Sequence, residues 1–283
     1  MLCGVKFNLD YSAINQLLKN QNIEFKSLVN LETSEVDRTR IWTDRGMTIL
    51  IKSPGYGIIK GSLHKFKNGG RHNYDDFRWC QVFQAMDDLS ETLGLNVRHL
   101  KLINLEWGVN IKTEIPPKEI LTGLVMHKKK RFEKMYVSPG THYVCTHSQV
   151  SIKIYDKGSQ NRLAENIMRI EMAANRSVYI NNLGITTPND LKHQDIRVNL
   201  QNSLLYGGWG DLLLIEPSLI HYCHLNKQVP KRISKWVNPI YWLESENYTR
   251  CYQRKEYDEF RLLNGFDTKE KISQAILDKY REL

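Results

Sequence analysis

The sequence lacks most of the features that would assign a protein quickly. Its uninterrupted apolar runs are short, Leu212 to Ile215 being an example, far below the roughly 20 residues a membrane helix needs. The opening M-L-C-G-V-K-F-N-L-D has no basic segment followed by an apolar one, which reads as no secretory signal. Cysteine is sparse: Cys3, Cys80, Cys145, Cys223 and Cys251 stand singly, with no C-x-x-C pair. That argues against a disulfide framework and a zinc ribbon, and points to a soluble protein of a reducing compartment. No G-x-x-x-x-G-K-[ST] loop and no G-x-S-x-G elbow occurs, so two common routes to hydrolytic chemistry are missing. Internal repeats and low-complexity segments are absent too. The H-Y-C-H of residues 221–224 looks metal-like but fits no zinc spacing.

What the chain does have is positive charge. Forty Lys+Arg against 31 Asp+Glu give a formal +9, which attracts polyanions, nucleic acid above all. The cations cluster with aromatics in H-K-F-K-N-G-G-R-H-N-Y (64–74) and H-K-K-K-R-F-E-K-M-Y (127–136). Lys60, Lys65, Lys67, Arg71, Lys128, Lys129, Lys130 and Arg131 are therefore candidates for DNA phosphates, with rings nearby for base stacking. A solvated basic face is the plain alternative. Apolar residues at 41% and charged residues at 25% are ordinary for a globular protein.

Periodicity predicts strands at 47–52 and 57–66, then a helix from about Tyr74 to Leu93 capped by Gly94. A strand at 100–112 follows. Pro116 and Pro117 open a second helix reaching about His127. A hairpin is expected over 134–145 with its turn at S-P-G-T, then strands at 149–157 and 166–174. The tail reads as helical around 189–196, before Gly265, and from Thr268. We expect a catalytic region over 1–195 and a mainly helical region over 196–283.

Side chains alternate faces along a strand, so parity sorts each one. In 102–111, Ile103, Leu105, Trp107, Val109 and Ile111 oppose Asn104, Glu106, Gly108 and Asn110. In 150–157, Val150, Ile152 and Ile154 oppose Ser151, Lys153, Tyr155 and Lys157; in 167–174, Met168, Ile170 and Met172 oppose Arg169 and Glu171. The polar side of 58–64 carries Lys60, Ser62 and His64. This predicts an α+β fold, a mostly antiparallel open-faced sheet of ferredoxin or RNA-recognition type, with helices behind it. If the strands are neighbours, one face gathers Tyr155, Glu106, Glu171, Asn110, His64, Lys153, Lys157 and Arg169.

Such a face suits phosphodiester cleavage. A tyrosine hydroxyl near pKa 10 is a poor nucleophile, which nearby lysines would improve. Carboxylate, amide and imidazole donors suit Mg²⁺ or Mn²⁺, and Lys157 or Lys153 would stabilise the transition state. Each residue also has a plainer use, as a half-buried strand aromatic, a solvated carboxylate or a hydrogen-bonded histidine.

The segments G-S-L-H-K-F-K-N-G-G-R-H-N-Y-D-D-F, N-L-E-W-G-V-N-I, K-I-Y-D-K-G, M-R-I-E-M and L-G-I-T-T-P-N-D-L follow one another over roughly residues 55 to 195. In that order they resemble the replication initiation proteins of filamentous phages and related Bacteroidetes phage or plasmid elements. I-Y-D-K and R-I-E also resemble segments of rolling-circle initiators from staphylococcal plasmids. The resemblance implies an endonuclease that nicks and closes one DNA strand at a replication origin through a phosphotyrosine. Carried over by motif, Tyr155 is the nucleophile, Lys157 its accompanying cation, and Glu106 and Glu171 metal ligands, with Asn110 and His64 as further candidates. Lys153 and Arg169 would join the DNA contacts. Two departures stand out. No H-hydrophobic-H pair is present, and where the plasmid branch often has two acidic residues two apart, this chain has Asn104 and Glu106. Tyr143 and Tyr179 are candidate second tyrosines. Implied partners are origin DNA in single-stranded or cruciform form and a host helicase, in the cytoplasm of a bacterial host, with no membrane. The competing class is a non-catalytic, sequence-specific DNA- or RNA-binding protein using the same face.

Overall fold

The computed structural model describes residues 2–29, 32, 34–53, 55–136, 141–226 and 228–283. Thirteen strands are described: β1 (Leu2–Leu9), β2 (Lys26–Val29), β3 (Val36–Asp44), β4 (Met47–Ser53), β5 (Tyr56–Ser62), β6 (Leu102–Lys112), β7 (Leu124–His127), β8 (Lys130–Arg131), β9 (Glu133–Tyr136), β10 (Thr141–Thr146), β11 (Val150–Asp156), β12 (Ile167–Ala174) and β13 (Leu212–Leu214). Ten form one antiparallel sheet in the order β2-β3-β4-β5-β1-β6-β12-β11-β10-β9; the others form a small sheet, β13-β7-β8. The fold is α+β, a large antiparallel sheet backed by helices, with a helical C-terminal region.

The odd-numbered residues of β6 explain why the sheet has a back. Leu105, Trp107, Val109 and Ile111 are all buried, and Trp107 Nε1 donates to Leu200 O at 3.1 Å. Each aliphatic side chain so covered contributes about 1.5–3 kcal/mol. The helices Tyr11–Lys19, Trp79–Leu93 and Thr268–Glu282 supply the opposing apolar stripes through Leu17, Met86, Leu89, Ile272 and Ile276. A second core joins β7 and β13 to the C-terminal helices around Trp236, Trp242 and Tyr257. Apolar packing crosses residue 195 in both directions: Leu200, Trp209 and Ile276 belong to the main core, while Val125 and Met126 belong to the second. A two-part division of the chain there stays a proposal.

Several boundaries differ from the sequence expectation. The strand read over 57–66 ends at Ser62, whose hydroxyl accepts from Lys65 N and starts a short helix, Leu63–Lys67. His64 is therefore helical, not a strand residue. The helix expected from Tyr74 begins at Trp79, where Gln81 Oε1 accepts from Arg78 N at 2.9 Å. The helix opened by Pro116 and Pro117 stops at Thr122, because residues 124–127 pair with β13 as a fully buried strand. The segment 189–196 divides into a 3-10 turn, Pro188–Lys192, and the start of helix Gln194–Asn202. The expected hairpin has β9 and β10 as its arms; of the expected S-P-G-T turn, Thr141 opens β10 and residues 138–140 lie outside the described residues. β1 to β3 were not foreseen, although the L-C-G-V-K-F-N-L of β1 alternates cleanly.

Candidate active site

Register brings the predicted face together. Arg169 on β12 lies opposite Tyr155 on β11 and Asn110 on β6, and Glu171 lies opposite Lys153 and Gly108. His142 on β10 continues the Tyr155 row. The Tyr155 hydroxyl donates to Glu171 Oε2 at 3.2 Å, and Arg169 Nε donates to the same oxygen at 2.5 Å. Lys153 Nζ bridges the two carboxylates, 2.8 Å from Glu106 Oε1 and 3.5 Å from Glu171 Oε1. Lys157, at the first turn after β11, donates to Asn73 Oδ1 at 2.7 Å and Gln160 Oε1 at 2.8 Å. Its ammonium stands 5.7 Å from the centre of the Tyr155 ring.

Two glycines make room for the acids. A Cβ on Gly4 would lie 2.7 Å from Glu106 Oε2, and one on Gly108 would press on the Ile170 carbonyl and the Glu171 side chain. Both carboxylates can thus lie over the sheet and converge on one cation.

The electrostatics follow from burial and pairing. Burial would raise the Glu171 pKa, but Arg169 and then Lys153 overcome it and hold the carboxyl below its ordinary value. Lys153 is likewise pulled down by burial and raised on balance by Glu171 and Glu106. Lys157 is lowered to about 8 by burial and the Arg169 charge. Tyr155 corrects an expectation. It is only 6% exposed, and burial, then the Glu171 charge, push its pKa well above 10; the lysines do not lower it. His142 stacks on its ring at 4.1 Å.

Of the other predicted residues, Asn110 and Arg169 lie inside this cluster but are spent on its internal hydrogen bonds, and His64 stands apart from it. His64 is fully buried, stacks on Phe77 at 4.6 Å and bonds through Nε2 to Asp75 Oδ1 at 2.8 Å. Burial lowers its pKa to about 4. Asn110 spends its amide on Tyr74 O and accepts from Arg169 Nη1. Arg169 is fully buried and donates to Glu171, Asn73 and Asn110, so it does not face solvent. Lys60, Lys67 and Arg71 are exposed, and Lys65 lies close enough to Lys157 to lower its pKa. Lys128, Lys129, Lys130 and Arg131 belong to the small sheet and its turn, where Lys128 pairs with Asp211 and Lys130 reaches Thr146 O. Tyr143 and Tyr179 pack against the main core. The H-Y-C-H residues lie on the helix Pro217–Leu225 and do not converge.

The sequence reading missed Asn73, His142, Gly4 and Cys3, whose sulfur accepts from Asn73 Nδ2 at 3.1 Å. Parity along β1 and β10 carried the signal for Gly4 and His142. Asn73 sits in an irregular segment, where no period exists to read.

Glu106 and Glu171 converge on the Lys153 ammonium, so a divalent ion held by this pair would stand in place of that charge. Asn110 and His64 are committed to other partners.

Neither a protein-family model nor a curated protein matches this chain. Among solved structures, it is similar to a rolling circle replication initiator protein from Geobacillus stearothermophilus. The identity is 12% and the TM-score 0.39, over 65% of this chain and 77% of that one.

Proposed function

We propose that this chain is a DNA nicking and closing enzyme that initiates rolling-circle replication of a phage or plasmid. One observation carries the reading: the tyrosine, both acids and the cations singled out by motif and parity meet through adjacent strands, with the Tyr155 hydroxyl on Glu171.

In this reading the Tyr155 oxygen attacks a backbone phosphate. A new O–P bond forms, the P–O3′ bond breaks, and the 3′ oxygen leaves with a proton to prime synthesis, while the 5′ end stays on the tyrosine. Glu171 is the acceptor in place for the hydroxyl proton. Lys157, and Lys153 once released from the acids, face the phosphate charge. Glu106 and Glu171 would hold Mg²⁺ or Mn²⁺, which when bound offsets charge on the attacked phosphate. Lys60, Lys65, Lys67 and Arg71 would guide origin DNA towards the face, and the 128–131 cluster would take a second stretch of duplex. A bacterial cytoplasm and a host helicase complete the proposal. Among the described residues no helix is long and apolar enough to cross a membrane.

One feature favours the second reading, a binding protein without chemistry. Tyr155 is buried with a raised pKa, and both carboxylates are already balanced by Lys153 and Arg169. Supercoiled plasmid carrying the element's own flanking DNA, incubated with Mg²⁺ or Mn²⁺, separates the two. Nicking and DNA-linked protein on a denaturing gel, both abolished by Tyr155→Phe and by chelator, are the expected result. Specific binding that ignores chelator, with no nick under either metal, establishes the binding protein instead.

A further inference from the structure

The back of the same hairpin holds a second set of donors. β10 presents His142 to the Tyr155 face, so Cys145, of opposite parity, points behind the sheet, and His147 follows it just past the strand end. There they meet His127, the last residue of β7. Ligand atoms of these three lie within 4.8 Å of one another, the only such grouping of three His, Cys, Asp or Glu among the described residues. His127 is 2% exposed and Cys145 fully buried, while His147 is half-buried.

We propose that His127, Cys145 and His147 bind a zinc-class divalent ion. Tetrahedral zinc, with Zn–N of about 2.0–2.1 Å and Zn–S of about 2.3 Å, sets neighbouring N and S ligands about 3.5 Å apart and two nitrogens about 3.3 Å apart. Cys145 Sγ and His147 Nε2 are 3.5 Å apart already. His127 Nδ1 and His147 Nε2 are 2.8 Å apart, joined by a hydrogen bond, and have to separate by about half an ångström to admit the ion. His147, on the partly exposed turn, is the one with room to move.

An independent feature points to a ligand. His127 Nε2 lies 2.6 Å from Gly207 O, a carbonyl of the π-helical segment Ser203–Gly210. A carbonyl only accepts, so Nε2 carries the proton and the Nδ1 lone pair is turned towards Cys145 and His147. Metal-binding histidines are held in this way, with the other ring nitrogen donating to a backbone carbonyl.

The donors choose the ion. Two imidazoles and a thiolate suit zinc and related late transition metals, whereas Mg²⁺ and Mn²⁺ prefer oxygen. On binding, Cys145 loses its thiol proton to solvent and His147 moves its ring proton from Nε2 to Nδ1, so one proton is released per ion. Three protein ligands leave a fourth position for water. The ion would tie β7 of the small sheet to β10 of the large one, behind the ribbon that carries His142 and Tyr155. The site stands or falls independently of chemistry at Tyr155.

The test uses untagged full-length protein, stripped with chelator and titrated with zinc or cobalt(II). The expected result is about one zinc per chain, bound in the presence of excess Mg²⁺, and a cobalt form with tetrahedral ligand-field absorption and a thiolate charge-transfer band. Cys145→Ser should remove that band, and His147→Ala should weaken zinc at least about tenfold while leaving far-UV dichroism unchanged. Stripped wild-type protein that takes up no zinc and shows no thiolate band overturns the proposal. So does zinc that binds equally well to wild type and both variants.

Discussion

The Tyr155 hydroxyl and Glu171 Oε2 are 3.2 Å apart across neighbouring strands, and Arg169 Nε reaches the same oxygen. The hydroxyl is thus one of several donors to a carboxylate that stays fully paired without it. Tyr155→Phe should change stability by no more than about 1 kcal/mol in urea unfolding. Under the proposed function it should also abolish the covalent DNA adduct. Glu171→Gln should differ, because it strips the charge partner from buried Arg169, at a cost of about 3–5 kcal/mol. If the phenylalanine variant unfolds as readily as the glutamine variant, the hydroxyl is a structural donor on which the Glu171 pairing depends.

The two glycines under the acids should separate function from folding. At Gly4 the new methyl meets the end of a flexible side chain, so Gly4→Ala should cost less than about 1 kcal/mol. Under the proposed function, displacing the Glu106 carboxylate should lower nicking roughly a hundredfold. At Gly108 the methyl meets the Ile170 carbonyl, which cannot swing aside, and Gly108→Ala should cost about 1–3 kcal/mol. Thermal unfolding beside a nicking assay reads both; equal stability losses would contradict the contrast.

Acid should weaken the protein through His64. Its pKa falls from 6.5 to about 4 on folding, so the unfolded chain binds a proton that the folded one refuses. The stability this protects is present above pH 6.5 and is lost as pH drops towards 4. Between pH 7 and pH 5 the loss is about 2 kcal/mol. Denaturant titrations at the two pH values measure it, and His64→Gln should flatten the slope; an unchanged slope would assign the acid sensitivity to other groups.

The centre of the site was legible because strand parity is a strict code. Once Leu105, Trp107 and Val109 are inside, Glu106 must be out, and the same logic places Lys153, Tyr155 and Glu171. What parity cannot supply is strand order or depth. It put Tyr155 on the open face but could not show that the residue is buried there beside the Glu171 charge, which is why its pKa rises instead of falling. It carried His64 along β5 because nothing in S-L-H-K-F announces that Ser62 caps a helix. The pairing of Cys145 with His147 two residues on was visible as a C-x-H on a strand, but their partner His127 comes from a separate sheet.

The position of β12 has a consequence for the newly made chain. It lies between β6 and β11 in space but follows both in sequence. Until Ile167–Ala174 has left the ribosome, the strands bearing Glu106 and Tyr155 have no strand to join them, and Tyr155 has neither Glu171 nor Arg169 beside it. Ribosomes add roughly 5–20 residues each second, so this interval is brief, but it orders events. The long-range insertion of one central strand is the slow kind of contact to form. The cluster around Tyr155 is therefore completed late, by the same step that closes the sheet.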